Sequence, residues 1–157
     1  MEVILLKGTI AERLKKEAEK LDMNLEEFLL EFFTQNLDPK DRAKEYITVA
    51  KEMLVQAKEE ISEDDYRQAA EKIWGAAALT VKAYAFWKEG VRLASHRDLW
   101  EYSRVLANDL GDWVLHVWNE ASGIHTCFYE GWCTREHLEA TLKSVEQLVK
   151  TVEGKIV

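Results

Sequence analysis

Apolar residues recur every third or fourth position along most of the chain, and that spacing predicts helices over nearly its whole length. Ahead of the pattern, Val3 to Leu6 is a short β-prone run, closed by Lys7 and Gly8. Thr9 with Glu12 has the spacing of a capping box, in which each side chain satisfies an orphaned backbone N–H. Ile10, Leu14, Ala18 and Leu21 then mark one helical face. Asn24 with Glu27 signals a second start, followed by the broader face of Leu25, Phe28, Leu29, Phe32 and Phe33. The predicted unit is strand, helix, helix.

Asp38-Pro39 restarts the pattern, because aspartate can cap a helix and proline at its first position loses only an N–H that would be orphaned anyway. A boundary is placed there, giving an arm over 1–37 and a helical bundle over 38–157. Ala43, Tyr46, Ile47, Ala50, Met53, Leu54, Ala57 and Ile61 trace a long amphipathic helix, and Ser62 and Asp65 start another, from about Glu63 to Glu89. Its stretch "WGAAALTVKAYAFW" is apolar around most of its circumference, as befits a buried central element. Ser95 with Asp98 caps a shorter helix that carries Leu99, Trp100, Val105, Leu106 and Leu110. Val114, Val117, Trp118, Ala121, Ile124, Phe128 and Trp132 trace the next. Thr134 opens the last, whose stripe runs from Leu138 to Val152. The expectation is an all-α, antiparallel bundle of four to five helices behind a short strand-helix-helix arm.

Composition narrows this further. Hydrophobic residues make up 47% and charged residues 32%, with a single proline, which suits one packed helical domain and a short appended module. The formal charge of -8 argues against broad, phosphate-driven nucleic-acid binding, which relies on a basic surface to release counterions, but leaves room for a local basic groove. No stretch is long and apolar enough to span a bilayer, and "MEVILLKGTIAERL" lacks the features of a signal peptide. The expected location is cytoplasmic, with no membrane partner. Cys127 and Cys133 fit neither a disulfide framework nor a CxxC motif and are expected to be reduced thiols. No P-loop, GxGxxG or GxSxG occurs, and no cofactor is expected.

Candidate chemistry gathers in "GIHTCFYEGW" at 123–132. His125 falls on the same stripe as Ala121, Phe128 and Trp132, with Tyr129 one turn on. A neutral imidazole there can take a proton from a ribose hydroxyl as general base, with Tyr129 or Glu130 as second proton-transfer group. The plainer alternative is a packed histidine donating to a backbone carbonyl. His96, Arg97 and Arg104 lie at the start and first turns of a helix, where they either contact phosphate or form a solvated helix start. Trp132, like Trp87, Trp100 and Trp113, occurs near a helix end, where a base can stack. His125 and Cys127 point to nearly opposite sides of a helix, so they do not share a metal, and no metal site is expected.

The stretches "YRQAAEKIWGAAALTVKAYAFW" at 66–87, "HRDLWEYSRVLANDLGD" at 96–112 and "IHTCFYEGW" with "TREHLEATLKSVEQLV" behind it resemble the HEPN superfamily, and more closely its archaeal PaREP-type branch. The resemblance implies a helical bundle that commonly dimerises, with activities from metal-independent RNA cleavage to RNA or nucleotide binding without catalysis. It also implies, in several members, a nucleotidyltransferase partner in toxin-antitoxin pairs. Nuclease members carry an arginine, four to six intervening residues and then a histidine; ahead of His125 the corresponding positions are Trp118, Asn119 and Glu120.

The arm resembles a ribbon-helix-helix unit, which implies dimerisation through a paired strand. Its outward residues would be Val3, Leu5 and Lys7, a poor base-reading set, and the arm has five basic residues against eight acidic ones. Oligomerisation is therefore expected of it before DNA reading. The expected function is RNA or nucleotide binding without catalysis, by a dimer or higher even-numbered oligomer, in a toxin-antitoxin or defence setting. His125, Tyr129 and Glu130 are the candidate catalytic group, and Arg97, Arg104 and Trp132 the candidate nucleotide contacts. The alternatives are a metal-independent ribonuclease with His125 as base and a structural oligomer without nucleic-acid affinity.

Overall fold

The structure is a computed structural model that describes residues 2–156, and among these residues it holds seven α-helices and no strand. The chain forms two compact units, one ending at Asn36 and the other beginning at Leu37.

The first unit contains α1 (Thr9–Lys20) and α2 (Leu25–Thr34). α2 begins as its sequence signal predicts, with the Asn24 side chain accepting the Glu27 N–H at 2.7 Å. α1 does not: Thr9 is already helical, Gly8 occupies the capping position, and no side chain caps the helix. Val3 to Leu6 is a correction too, being irregular and exposed rather than a strand. A strand exists only through hydrogen bonds to a neighbour, and nothing in this unit offers the run a ladder.

The second unit contains α3 (Pro39–Ser62), α4 (Tyr66–Glu89), α5 (His96–Leu110), α6 (Trp113–Glu130) and α7 (Arg135–Ile156). The chain as a whole thus has seven helices where four to five were expected of its bundle, five of them in this unit. Their starts are set locally. Asp65 accepts the Gln68 N–H at 3.4 Å, and Thr134 accepts the His137 N–H at 3.3 Å. At α5, Ser95 Oγ accepts the Asp98 N–H at 3.1 Å while the Asp98 carboxylate reaches back to the Ala94 N–H at 3.0 Å. α4 is the core: every residue from Ile73 to Phe86 is buried, and its glycine and alanines let neighbouring helices approach closely.

Cross-helix contacts give the directions. Arg42 lies 4.4 Å above the Phe86 ring, so the start of α3 meets the end of α4 and the two are antiparallel. Lys51 pairs with Glu153 at 2.8 Å and Lys58 with Glu146 at 2.6 Å, so α7 is antiparallel to α3. α6 is antiparallel to α4, since Arg67 reaches Tyr129 and Trp74 reaches His125 and Trp118. α5 departs from the expected up-and-down order. Trp74 meets His96 at its start and Tyr84 meets Asp109 near its end, so α5 runs in the same direction as α4. The connector after Gly90, with Leu93 buried, carries the chain back along α4 before α5 begins. No helix among the described residues is long and apolar enough to cross a membrane.

Candidate functional site

The reversal of the connector brings the start of α5 against the middle of α4 and the second half of α6, and a cluster of rings forms where they meet. Trp74 of α4 is its floor, 8% exposed. His125 of α6 lies flat on it, with centroids 4.6 Å apart and planes within 22°. His96, the first residue of α5, stands edge-on to both, 5.7 Å from Trp74 and 5.7 Å from His125. Trp118, one face of α6 further back, packs 5.0 Å from Trp74, and Trp100 meets Trp118 edge-on at 5.9 Å. Tyr129 completes the outer side 5.1 Å from His125. Both imidazoles are half-buried, whereas Trp100 and Tyr129 are exposed. The group thus has a buried aromatic base, two titratable rings at mid-depth and an accessible aromatic rim.

Two polar groups add to it. The indole N–H of Trp118 and the Oγ of Ser122, one turn apart on α6, are buried without a hydrogen-bond partner among the described residues. Such groups each carry a desolvation cost of about 1–3 kcal/mol. Near Tyr129, the Arg67 guanidinium of α4 donates to the Tyr129 carbonyl at 3.4 Å. It packs over Gly131, where an added Cβ would come within 2.7 Å of Arg67 Nε. Gly131 also has a φ of 73°, so glycine here permits both the left-handed helix end and the close guanidinium.

The residues singled out in the sequence are partly gathered. His125 and Tyr129 come together as expected. Glu130 is exposed at the last position of α6; five residues beyond His125, it is turned about 140° around the helix axis, away from the rings. Arg97 is exposed and held along α5 by Glu101 at 3.0 Å, and Arg104, two turns on, is exposed as well. Trp132 is not on the α6 stripe: the helix ends at Glu130, and Trp132 sits beyond the turn, edge-on to His137 at 6.2 Å. Cys127 and Cys133 are not free thiols but a disulfide, their Cα atoms 5.4 Å apart. The tight turn at Gly131 folds the chain back on itself and brings the two sulfurs together, which spacing alone did not reveal.

Sequence reasoning passed over Trp74, placed in the core helix, and Arg67. Their separation of seven residues puts both on one face of α4, a signal that could have flagged them. It weighed His96 as a phosphate contact or part of a solvated helix start, although the fold sets it beside His125. No group of three or more His, Cys, Asp or Glu side chains is placed to hold a metal ion among the described residues.

The far end of α4 has a different character. Tyr84 donates to Asp109 at 2.8 Å, and Lys88 pairs with the same carboxylate. Lys88 and Tyr84 together hold the Asp109 carboxyl below the usual range. Burial, then Asp109 itself, pushes the Tyr84 hydroxyl up to about 12, and burial with Glu89 close by raises that of Tyr102 also.

No curated protein matches the chain. Among solved structures, it is similar to the crystal structure of a protein from Sulfolobus solfataricus, with 23% identity and a TM-score of 0.61, covering 69% of this chain and 97% of that one; at that identity the likeness speaks for the fold alone. The sequence pattern of the archaeal PaREP1/PaREP8 family matches residues 45–149, a span that includes every ring of the cluster. With two thirds of its length so matched, the chain belongs to the archaeal PaREP1/PaREP8 family.

Proposed function

We propose that this is a HEPN-like protein that binds RNA or a nucleotide at the ring cluster of α4, α5 and α6, without catalysis, as a homo-oligomer in a toxin-antitoxin or defence setting. The observation that carries the reading is the layered arrangement of Trp74, His125 and His96 beside the exposed Tyr129, with the exposed Trp100 against Trp118. A base stacks on exposed aromatic rings whatever its identity, and each such contact contributes about 1–3 kcal/mol. Arg67 and Arg104 supply local positive charge on a chain that is otherwise acidic, and Arg97 adds to it where a ligand phosphate displaces Glu101.

A second reading has one specific observation in its favour. His96 and His125 stand 5.7 Å apart, close enough for one imidazole to accept the proton of a ribose 2′-hydroxyl and the other to protonate the departing 5′-oxygen. In that reading the protein is a ribonuclease with His125 as base, and His96 takes the acid role first assigned to Tyr129 or Glu130.

The oligomer rests on the first unit, where Val3, Ile4, Leu5, Ile10, Phe32 and Phe33 are all exposed. Apolar surface of this kind calls for a partner, and pairing with a second copy would give Val3 to Leu6 the ladder it lacks, as in a ribbon-helix-helix dimer. A nucleotidyltransferase is the proposed heterologous partner.

The test is incubation of the purified chain with labelled single-stranded and structured RNAs and with a labelled nucleoside triphosphate, comparing wild type with His125→Ala. Retention without cleavage, weakened in the variant, is the expected result. Cleavage by wild type alone moves the assignment to the ribonuclease, and neither retention nor cleavage rejects both.

A further inference from the structure

The two cysteines of the chain are spent at one place, the edge of the ring cluster. Cys127 lies in the last turn of α6 and Cys133 just past the Gly131 turn, so the disulfide spans the residues that carry Tyr129. Cys127 is fully buried and Cys133 is 8% exposed. The bridge also holds the turn to the first turn of α4, because Cys133 Sγ lies 3.8 Å from the Tyr66 carbonyl. Among the contacts beside it at the outer end of α6 are the Gly131 N–H to the Cys127 carbonyl, the Cys133 N–H to Cys127 Sγ at 3.1 Å, the Tyr129 ring against His125 and the long, exposed Arg67 contact. The deeper part of α6 needs no such help, since Val114, Val117, Trp118, Ala121 and Ile124 bury its inward stripe. A bridge that closes so short a loop restricts that loop far more than it restricts the whole chain.

We propose that Cys127–Cys133 is a redox-controlled fastener of the binding site. Oxidised, it holds Tyr129 beside His125; reduced, it lets the last turn of α6 fray and lowers the affinity of the ring cluster while the bundle stays folded. Its effect on affinity rests on the ligand-binding reading above. The step is thiol-disulfide exchange with a dithiol. A dithiol thiolate attacks the Sγ of Cys133, the less buried of the two residues, forming a mixed disulfide and expelling the Cys127 thiolate, which takes a proton. The second thiol of the reductant then attacks its own bound sulfur, closing the reductant to a cyclic disulfide and expelling the Cys133 thiolate, which is protonated in turn. Two electrons pass from the dithiol to the bridge, and the reverse step re-forms it at the expense of the cyclic disulfide.

The test equilibrates the full chain with oxidised or reduced dithiothreitol. It follows amide hydrogen exchange, the nuclear Overhauser contact between the Tyr129 and His125 rings, and retention of a labelled mixed-sequence single-stranded RNA. On reduction, the Gly131 and Cys133 amides should lose protection, the ring contact should weaken and RNA retention should fall several-fold, with α3 and α4 amides unchanged. C133S should show the reduced behaviour under both conditions. Equal protection of Gly131 and Cys133 in both conditions overturns the proposal. So does a loss of protection that extends equally through α3 and α4, which would make the bridge a general stabiliser. If the oxidised chain retains no RNA, it is the binding reading that fails, and the exchange and ring signals still decide whether the bridge fastens the turn.

Discussion

The two halves of α4 are built from similar materials and behave as different devices. Near Tyr84, the hydroxyl, the Lys88 ammonium and the Asp109 carboxylate satisfy one another, while the neighbouring Tyr102 hydroxyl is buried without a hydrogen-bond partner among the described residues; the titrations of Tyr84 and Asp109 are pushed away from neutrality. Near Trp74, rings meet rings: two imidazoles sit at mid-depth, two polar groups of α6 are buried unpartnered, and the aromatic rim is open. Closed polar networks hold a structure in place, whereas half-open aromatic ones leave interaction capacity for a ligand. The difference teaches that polar residue types alone do not mark a site; what marks it is whether the fold leaves side chains within reach of solvent, as it does Trp100 and Tyr129.

The contrast can be broken or sharpened by experiment. Trp74→Ala removes the floor of the cluster and should destabilise the bundle by about 3–5 kcal/mol, read from guanidinium unfolding. A loss near zero would mean that the rings are not a packed unit. Ser95→Ala removes the cap that sets where α5 begins, and with it the position of His96; the expected cost is about 1 kcal/mol, with a weakened His96–His125 ring contact by NMR. At the closed end, Tyr84→Phe deletes the hydrogen bond to Asp109 at an expected cost of about 0.5–1.5 kcal/mol and should leave RNA retention untouched. The same variant tests the electrostatics. Because the folded hydroxyl titrates near 12 and the ordinary one at 10.0, the stability it contributes is fully present below pH 10 and is lost as pH rises toward 12. Alkaline unfolding should therefore be shallower in Tyr84→Phe than in wild type. Asp109 acts in the opposite sense, its contribution being present above the usual carboxylate range and lost as pH falls through its lowered value. The smallest effect belongs to the surface: Lys51→Ala, which frees Glu153, should change stability by about 0.2–1 kcal/mol, less at high salt.

Much of the fold was legible in the residues. Asn24, Asp65, Ser95 and Thr134 cap the helices they announce, and the apolar run of α4 is buried from Ile73 to Phe86. The Thr9 and Glu12 pair misled, because a capping-box spacing is satisfied equally by two residues already inside the first turn. Val3 to Leu6 misled for another reason: β propensity describes what a segment suits, not whether a partner strand exists. The pairing of His125 with Tyr129 could be read from helical spacing, but Trp74 and His96 come from other helices. Their arrival depends on the buried connector that turns α5 parallel to α4.

Helix position, most helix ends and the inward face of most helices were determined by the sequence itself, the start of α1 and the end of α6 excepted, since capping and a 3.6-residue period act over a turn or two of chain. The tertiary structure alone decided that α5 runs with α4, that two histidines share one tryptophan, that Arg67 covers Gly131 and that Cys127 meets Cys133. Each of these is a contact between elements, and its existence depends on the path of a connector and on what else must be buried first, which no local spacing records.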